Sequence, residues 1–196
     1  MVSLYYYSIV FNFKLLIFYE QASVAQADLR KATLRGLTIR AGKILSRLLH
    51  GLDHAVKRDL SLAIPKALEH KAPFIIGTAG GAGSEKHVAW VKEILLEIAG
   101  EKHLEFTLGT VFSDVSGDYV LEKLNAGKII NMSDALPLSQ DAIRESTTIV
   151  SQIGIAPIVE LLKQNADVII CGRACDTAIY AAPCIYHGYN PGLAFH

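Results

Sequence analysis

The chain has 196 residues, 51% of them hydrophobic and 19% charged, which is enough apolar mass for one sizeable core. Lys plus Arg and Asp plus Glu stand at 19 each, so no long-range field gathers nucleic acid, and no basic run marks a polybasic membrane anchor. Nucleic-acid binding is therefore not expected, and neither is membrane attachment.

Residues 1–19 form the most apolar stretch, MVSLYYYSIVFNFKLLIFY. A spanning helix needs about twenty mostly apolar residues, but Asn12 and Lys14 interrupt this one. A secretory leader needs a basic start and a small-residue cleavage site, and neither is present. Two readings remain: one or two buried strands, favoured by the aromatic and β-branched content, or a front end unrelated to the rest through a misread start. Residues 20–50, rich in Lys and Arg, read as helical without clear caps. The division this suggests is an atypical segment at 1–52 and an α/β domain at 53–196.

From Asp53 the pattern sharpens. Asp53 has the chemistry of an N-cap, and Val56, Leu60, Ala63, Ile64 and Ala67 recur at helical spacing, with a kink or break expected at Pro65. A strand follows at 73–77. The next helix opens at Ser84 and Glu85, buries Val88, Val91, Leu95 and Ile98, and is expected to stop at Gly100. In residues 104–112, Leu104, Phe106, Leu108, Thr110 and Phe112 alternate with Glu105, Thr107, Gly109 and Val111, a strand with one face buried more fully than the other.

A helix is expected over 116–126 with Gly127 as its stop, then a short strand at 128–131. Pro137 and Ser139 restart a helix that runs through Ile143 and Ile149, breaks near Gly154 and resumes over 157–165. Residues 167–171 are short, apolar and β-branched, as a buried parallel strand requires. A helix at 177–187 and another capped by Asn190 and opened by Pro191 end the chain. Alternating strands and helices of this kind predict a mostly parallel sheet with helices on both faces, a Rossmann-like three-layer α/β fold.

The central stretch is residues 74–85, FIIGTAGGAGSE: strand, glycine-rich turn, helix start. Gly80, Gly81 and Gly83 allow positive φ and leave the main chain uncovered, while the helix opening at Ser84 directs unpaired N–H groups and a positive dipole end to the same place. Such a turn suits a phosphate or carboxylate. It is neither a Walker A loop nor a GxGxxG fingerprint, and the alternative is that the glycines only make a tight turn.

In parallel sheets ligands bind outside the carboxyl ends of the strands. The loops there carry Thr78, Gly80, Gly81, Gly83 and Ser84, then Ser113, Asp114 and Asp118, then Gly172, Arg173, Cys175 and Asp176. Arg173 is the foremost candidate, since a guanidinium directly after a buried strand can hold a carboxylate or phosphate in a bidentate pair. Its alternative is an ion pair with Asp176 or Asp114. Asp114 is a candidate general base or ligand for a hydroxyl, or else a turn residue. Cys175 is either a nucleophile with a thiol activated by Arg173 and the following helix N-terminus or a packing residue. Asp176 reads as that helix's N-cap. His87 is a secondary contact at the glycine loop.

No metal site is expected, because His87, His103, His187 and His196 are scattered without HxxH spacing. Cys171, Cys175 and Cys184 are odd in number and lack a CxxC pair, so they read as reduced thiols of a cytoplasmic protein.

The segments AVKRDL (55–60), FIIGTAGGAGS (74–84), NAGKI (125–129), ADVIICGRACDTAIYAAP (166–183) and PGLAFH (191–196) together resemble the N-terminal domain of the acyclic terpene utilisation protein A family. The resemblance covers about residues 53–196 and keeps order and spacing. It implies a cytoplasmic catabolic protein of citronellol and geraniol breakdown, in a pathway whose intermediates are coenzyme A thioesters; it carries no catalytic assignment. Family members begin with a strand, a glycine-rich turn and a Gly-Pro-Tyr-Tyr-like stretch not found before Asp53, and they continue past His196, so the expectation is a truncated member.

These readings converge on an enzyme or enzyme subunit that binds an anionic small-molecule substrate, a coenzyme A thioester among the candidates, at residues 80–84 and Arg173. Ser113 and Asp114 would then face the reacting part. The rival is a non-catalytic subunit serving a homo-oligomer or a partner chain, or an inactive gene fragment.

Overall fold

The computed structural model describes residues 3–7, 41–130 and 138–194. Four strands, β1 (Ser3–Tyr7), β2 (Phe74–Ile76), β3 (Thr107–Val111) and β4 (Val168–Cys171), form one parallel sheet in the order β1-β3-β4-β2. Leu108 stands opposite Val168 and Val111 opposite Cys171, while Phe74 pairs with Val168 from the other side. β4 is therefore central and lies between the two strands whose loops carry the other candidate residues. The remainder of residues 1–40, over which more strand and helix were expected, lies outside the described residues.

Residue parity along β4 divides the core. Val168 and Ile170 face one layer with Leu108, and Ile169 and Cys171 face the other with Val111. Helices α1 (Ala41–Glu69) and α2 (Glu85–Lys102) cover the first face through Leu60, Ile64, Val88, Val91, Leu95 and Ile98. The second is covered by α5 (Ala156–Lys163) and α6 (Ala178–Tyr186) through Ile158, Leu161, Ala178 and Ala182. Each fully buried Leu or Ile contributes about 1.5–3 kcal/mol. The result is the three-layer α/β arrangement that the alternation of elements predicts.

Between β3 and β4 lie α3 (Gly117–Asn125) and α4 (Gln140–Glu145), and α7 (Pro191–Ala194) follows α6. Local chemistry fixes their starts: the Ser116 hydroxyl accepts from Tyr119 N–H at 3.2 Å, that of Ser139 from Ala142 N–H at 3.1 Å, and the Asn190 side chain from Gly192 N–H at 2.8 Å. Among the described residues no helix is long and apolar enough to cross a membrane.

Several boundaries differ from the sequence reading. Asp53 is not an N-cap and Pro65 does not break the chain, because α1 runs through both. Proline removes one N–H and crowds the preceding turn, but Val56, Leu60, Ile64 and Leu68 continue one apolar stripe across it onto α2. Lys57 also reaches Glu97 and Glu101 on α2 at 2.6 and 2.7 Å. Gly100 lies inside α2, whose end is His103 in the left-handed region at φ 52°.

β3 is buried on both faces, since helices cover both; the alternation in its sequence reflects Gly109, where a Cβ would come within 2.8 Å of Leu161 on α5. Residues 128–130 form no strand. The helix expected through Ile149 stops at Glu145, and an extended segment takes its place.

Candidate functional site

The loops after β2, β3 and β4 meet at the carboxyl edge of the sheet. Ser113 is the joint between them: its hydroxyl donates to Gly83 C=O at 2.7 Å and accepts from Arg173 N–H at 2.8 Å, with only 2% of the residue exposed. Its own carbonyl accepts from Ser151 N–H at 2.7 Å. Ser113 is thus a brace, with its hydroxyl's two hydrogen-bond partners inside the protein.

The glycine loop is built for the same contact. Gly83 has φ +70°, and a Cβ there would lie 2.2 Å from Arg173 N and 2.6 Å from Gly172 C. Protein backbone occupies the space directly beside Gly83. Thr78 adopts φ 51°, uncommon for a β-branched residue, and its Oγ1 donates to Ala174 C=O at 3.3 Å and accepts from Ala174 N–H at 3.1 Å. Gly81 also has positive φ, 87°. The helix start at Ser84 is as expected: Ser84 is the N-cap of α2 with φ −72° and ψ 164°.

Asp114 gives this helix end its resident anion. Its Oδ2 accepts from Glu85 N–H at 2.7 Å, so a carboxylate of the protein itself occupies part of the positive end expected to hold a ligand. Partial burial raises the Asp114 pKa, against the Glu85 N–H bond that lowers it. Asp114, Ser84, Glu85 and Lys86 line a cleft of about 260 Å³ whose opposite wall includes Ser146 and Thr147.

That wall is what sequence reasoning missed. Val115 N–H donates to Ile149 C=O at 2.9 Å, Asp114 bridges to Val150, and Ile153 N–H donates to Arg173 C=O at 2.7 Å, so residues 146–153 run extended across two loops. The signal available was weak: Thr147, Thr148, Ile149 and Val150 are β-branched in succession, which disfavours helix.

His87, a secondary candidate from sequence, is half-buried. Its Nδ1 stands 3.2 Å from Ser84 Oγ, and its ring lies against Gly80, where a Cβ would approach Cγ to 2.7 Å. Burial lowers its pKa below the usual histidine value, and the Asp114 charge opposes this. The unfolded chain then takes up this proton at a higher pH than the folded one, so His87 makes stability fall as pH drops through the histidine range from 6.5 downward. Thermal unfolding of the wild type and His87→Gln across pH 5–8 should show a steeper acid-side loss in the wild type.

The remaining candidates lie at the front of α6. Thr177, not Asp176, is its N-cap, and no side chain caps it by a hydrogen bond; Asp176 is exposed. Cys175 is half-buried with Sγ 3.4 Å from Thr177 Oγ1, and its N–H donates to Ile153 C=O at 2.9 Å. Cys171 is buried in β4, where desolvation pushes its thiol up to about 12. Asp118 is exposed in the first turn of α3. Among the described residues no group of three His, Cys, Asp or Glu comes together to hold a metal ion.

A parallel sheet covered by helices on both faces, with its polar cleft outside the carboxyl ends of the strands, defines an α/β protein of the three-layer class. Within that class the chain belongs to the acyclic terpene utilisation family AtuA, whose model matches residues 35–191. The match starts well ahead of Asp53, inside the segment the sequence motifs left out. The first part of α1, from Ala41, lies within the matched range. No curated protein and no solved structure matches the chain.

Proposed function

We propose that the chain is a catabolic enzyme, or the core of an enzyme subunit, acting on an anionic intermediate of acyclic terpene breakdown, a carboxylate or a coenzyme A thioester, in a cytoplasmic pathway. The observation that carries this reading is the placement of Asp114. It is a carboxyl group with a raised pKa, held by one N–H at a helix start, in a cleft at the end of an inner strand. A carboxyl group at a cleft edge, its pKa raised above the usual carboxylate value, can exchange a proton with substrate or bind its hydroxyl. Arg173, whose main chain is fixed by Ser113 and Ile153 at the neighbouring strand end, holds the anionic group. The glycine loop seats the α2 N-terminus, and Cys175 is left with a packing role.

The test is thermal unfolding and calorimetric titration with coenzyme A, acyl-CoA thioesters and branched carboxylates. A ligand at a hundred times its dissociation constant adds about 2.7 kcal/mol of stability. Arg173→Ala should weaken binding by about 1.5–3 kcal/mol. Asp114→Asn should keep binding and lose about 10²–10⁴-fold in turnover. Unchanged affinity in the first variant removes Arg173 from the site, and unchanged turnover in the second removes Asp114 from the chemistry.

A partner-subunit reading is favoured by one feature, the exposed Tyr180, Tyr189 and Leu193 of the α6–α7 end, at 73%, 59% and 66%. A stable oligomer on size exclusion that no ligand affects would support it over the enzyme.

A further inference from the structure

We propose that Ser84 is an acyl-accepting nucleophile and His87 its proton acceptor, so that the cleft carries out acyl transfer from a thioester. This rests on the reading of the substrate as an acyl thioester and adds the reaction to it. Ser84 lines the cleft while only 6% of the residue is exposed, and the imidazole sits beside its Oγ at 3.2 Å. The ring is positioned from two sides: Ser84 takes Nδ1, and Gly80, lacking a Cβ, lets the ring lie against the loop. A strand, a glycine turn and a serine at a helix start present a hydroxyl outside a parallel sheet, with a base one helical turn along the same element.

The proton inventory closes. Ser84 Oγ attacks the thioester carbonyl carbon as its proton passes to His87 Nδ1. The C–S bond breaks, and the leaving thiolate takes that proton to depart as a thiol. Water then attacks the acyl-Ser84 ester, giving its proton to His87; the C–O bond breaks, Ser84 Oγ recovers a proton, and the acid is released. The balance is thioester plus water to carboxylic acid plus thiol.

A neutral imidazole is needed at the start, and burial favours that form; the Asp114 charge favours the imidazolium that follows. Asp114 acts on the ring through its charge, its Oδ2 being held by Glu85 N–H. Glu85 and Lys86 precede His87 in the first turn of α2, Lys92 and Glu93 follow further along that helix, and Arg173 and Asp176 lie in the loop after β4. The Lys86 N–H, in the first turn of a helix whose N-cap side chain makes no capping hydrogen bond and on the cleft that Lys86 lines, is the donor for the carbonyl oxygen as it becomes an oxyanion.

The experiment treats the full chain with a serine-directed fluorophosphonate and, separately, with butyryl-CoA, reading intact mass, the labelled peptide and thiol release, with butyryl-CoA thermal shifts in parallel. The expected result is one adduct per chain on the peptide holding Ser84. Thiol release should fall at least 100-fold in Ser84→Ala and in His87→Gln, and the wild-type rate should rise with pH through the His87 titration, a rise that His87→Gln flattens. Absence of a Ser84 adduct, or thiol release undiminished in Ser84→Ala, overturns the proposal. If butyryl-CoA still raises the unfolding midpoint in that case, the thioester substrate survives and only acyl transfer falls; if it does not, both fall. The wild-type labelling holds whether or not either variant folds.

Discussion

Gly83→Ala is expected to destabilise the chain by about 3–5 kcal/mol, the sum of a left-handed backbone penalty and an overpacked contact. Two effects act at one atom. The residue sits at φ +70°, and its new methyl would meet Arg173 N at 2.2 Å and Gly172 C at 2.6 Å. These are main-chain atoms at the end of β4, so no rotamer change relieves the clash; the loops after β2 and β4 must separate. Gly100→Ala is the matched control. It lies inside α2 with nothing within 4 Å of its Cβ position, and it should gain about 0.5–1 kcal/mol from reduced backbone entropy in the unfolded chain. Urea unfolding of the two variants checks both signs, and a Gly83→Ala midpoint equal to the wild type would show that the loops are not locked together.

Ser113→Ala should cost about 2–4 kcal/mol, because it leaves the buried Gly83 carbonyl and Arg173 N–H without the hydroxyl each one uses. The loss should couple to Gly83→Ala, since both changes open the same junction. A double variant that loses clearly less than the two single losses added together is the expected outcome. Strict additivity would mean that Ser113 and Gly83 stabilise separate parts of the chain. The two substitutions also separate structure from chemistry at the site: both should act through stability, whereas Asp114→Asn should act through turnover.

The positions of the candidates along the sheet were legible in the sequence, but the use made of them was not. Residues 74–85 read as strand, turn and helix start, and they are; the same residues left an anion cradle and a plain tight turn as alternatives, and gave no sign that Gly83 faces protein backbone or that Asp114 holds Glu85 N–H. Loop sequence specifies φ preferences locally, but what fills the space beside a glycine belongs to another loop. Ser113 shows the same limit. Its place after an apolar strand was clear, while its two partners come from residues 30 and 60 positions away.

What the sequence by itself determined is the class of fold and the order of its parts. The all-apolar Val168–Cys171 run requires a strand covered on both faces. The helical stripe of Val88, Val91, Leu95 and Ile98 requires a neighbour, and Ser116, Ser139 and Asn190 mark helix starts by short-range hydrogen bonds. Tertiary structure alone decided that α1 passes Pro65, because the apolar stripe on both sides of it gains more from α2 than one missing hydrogen bond loses. It also decided that residues 146–153 extend instead of coiling, because strand-end N–H and C=O groups of Val115 and Arg173 need partners there. Propensity acts within a few residues, while burial and hydrogen-bond satisfaction are settled between elements distant in the chain, and the cleft is formed by those distant elements.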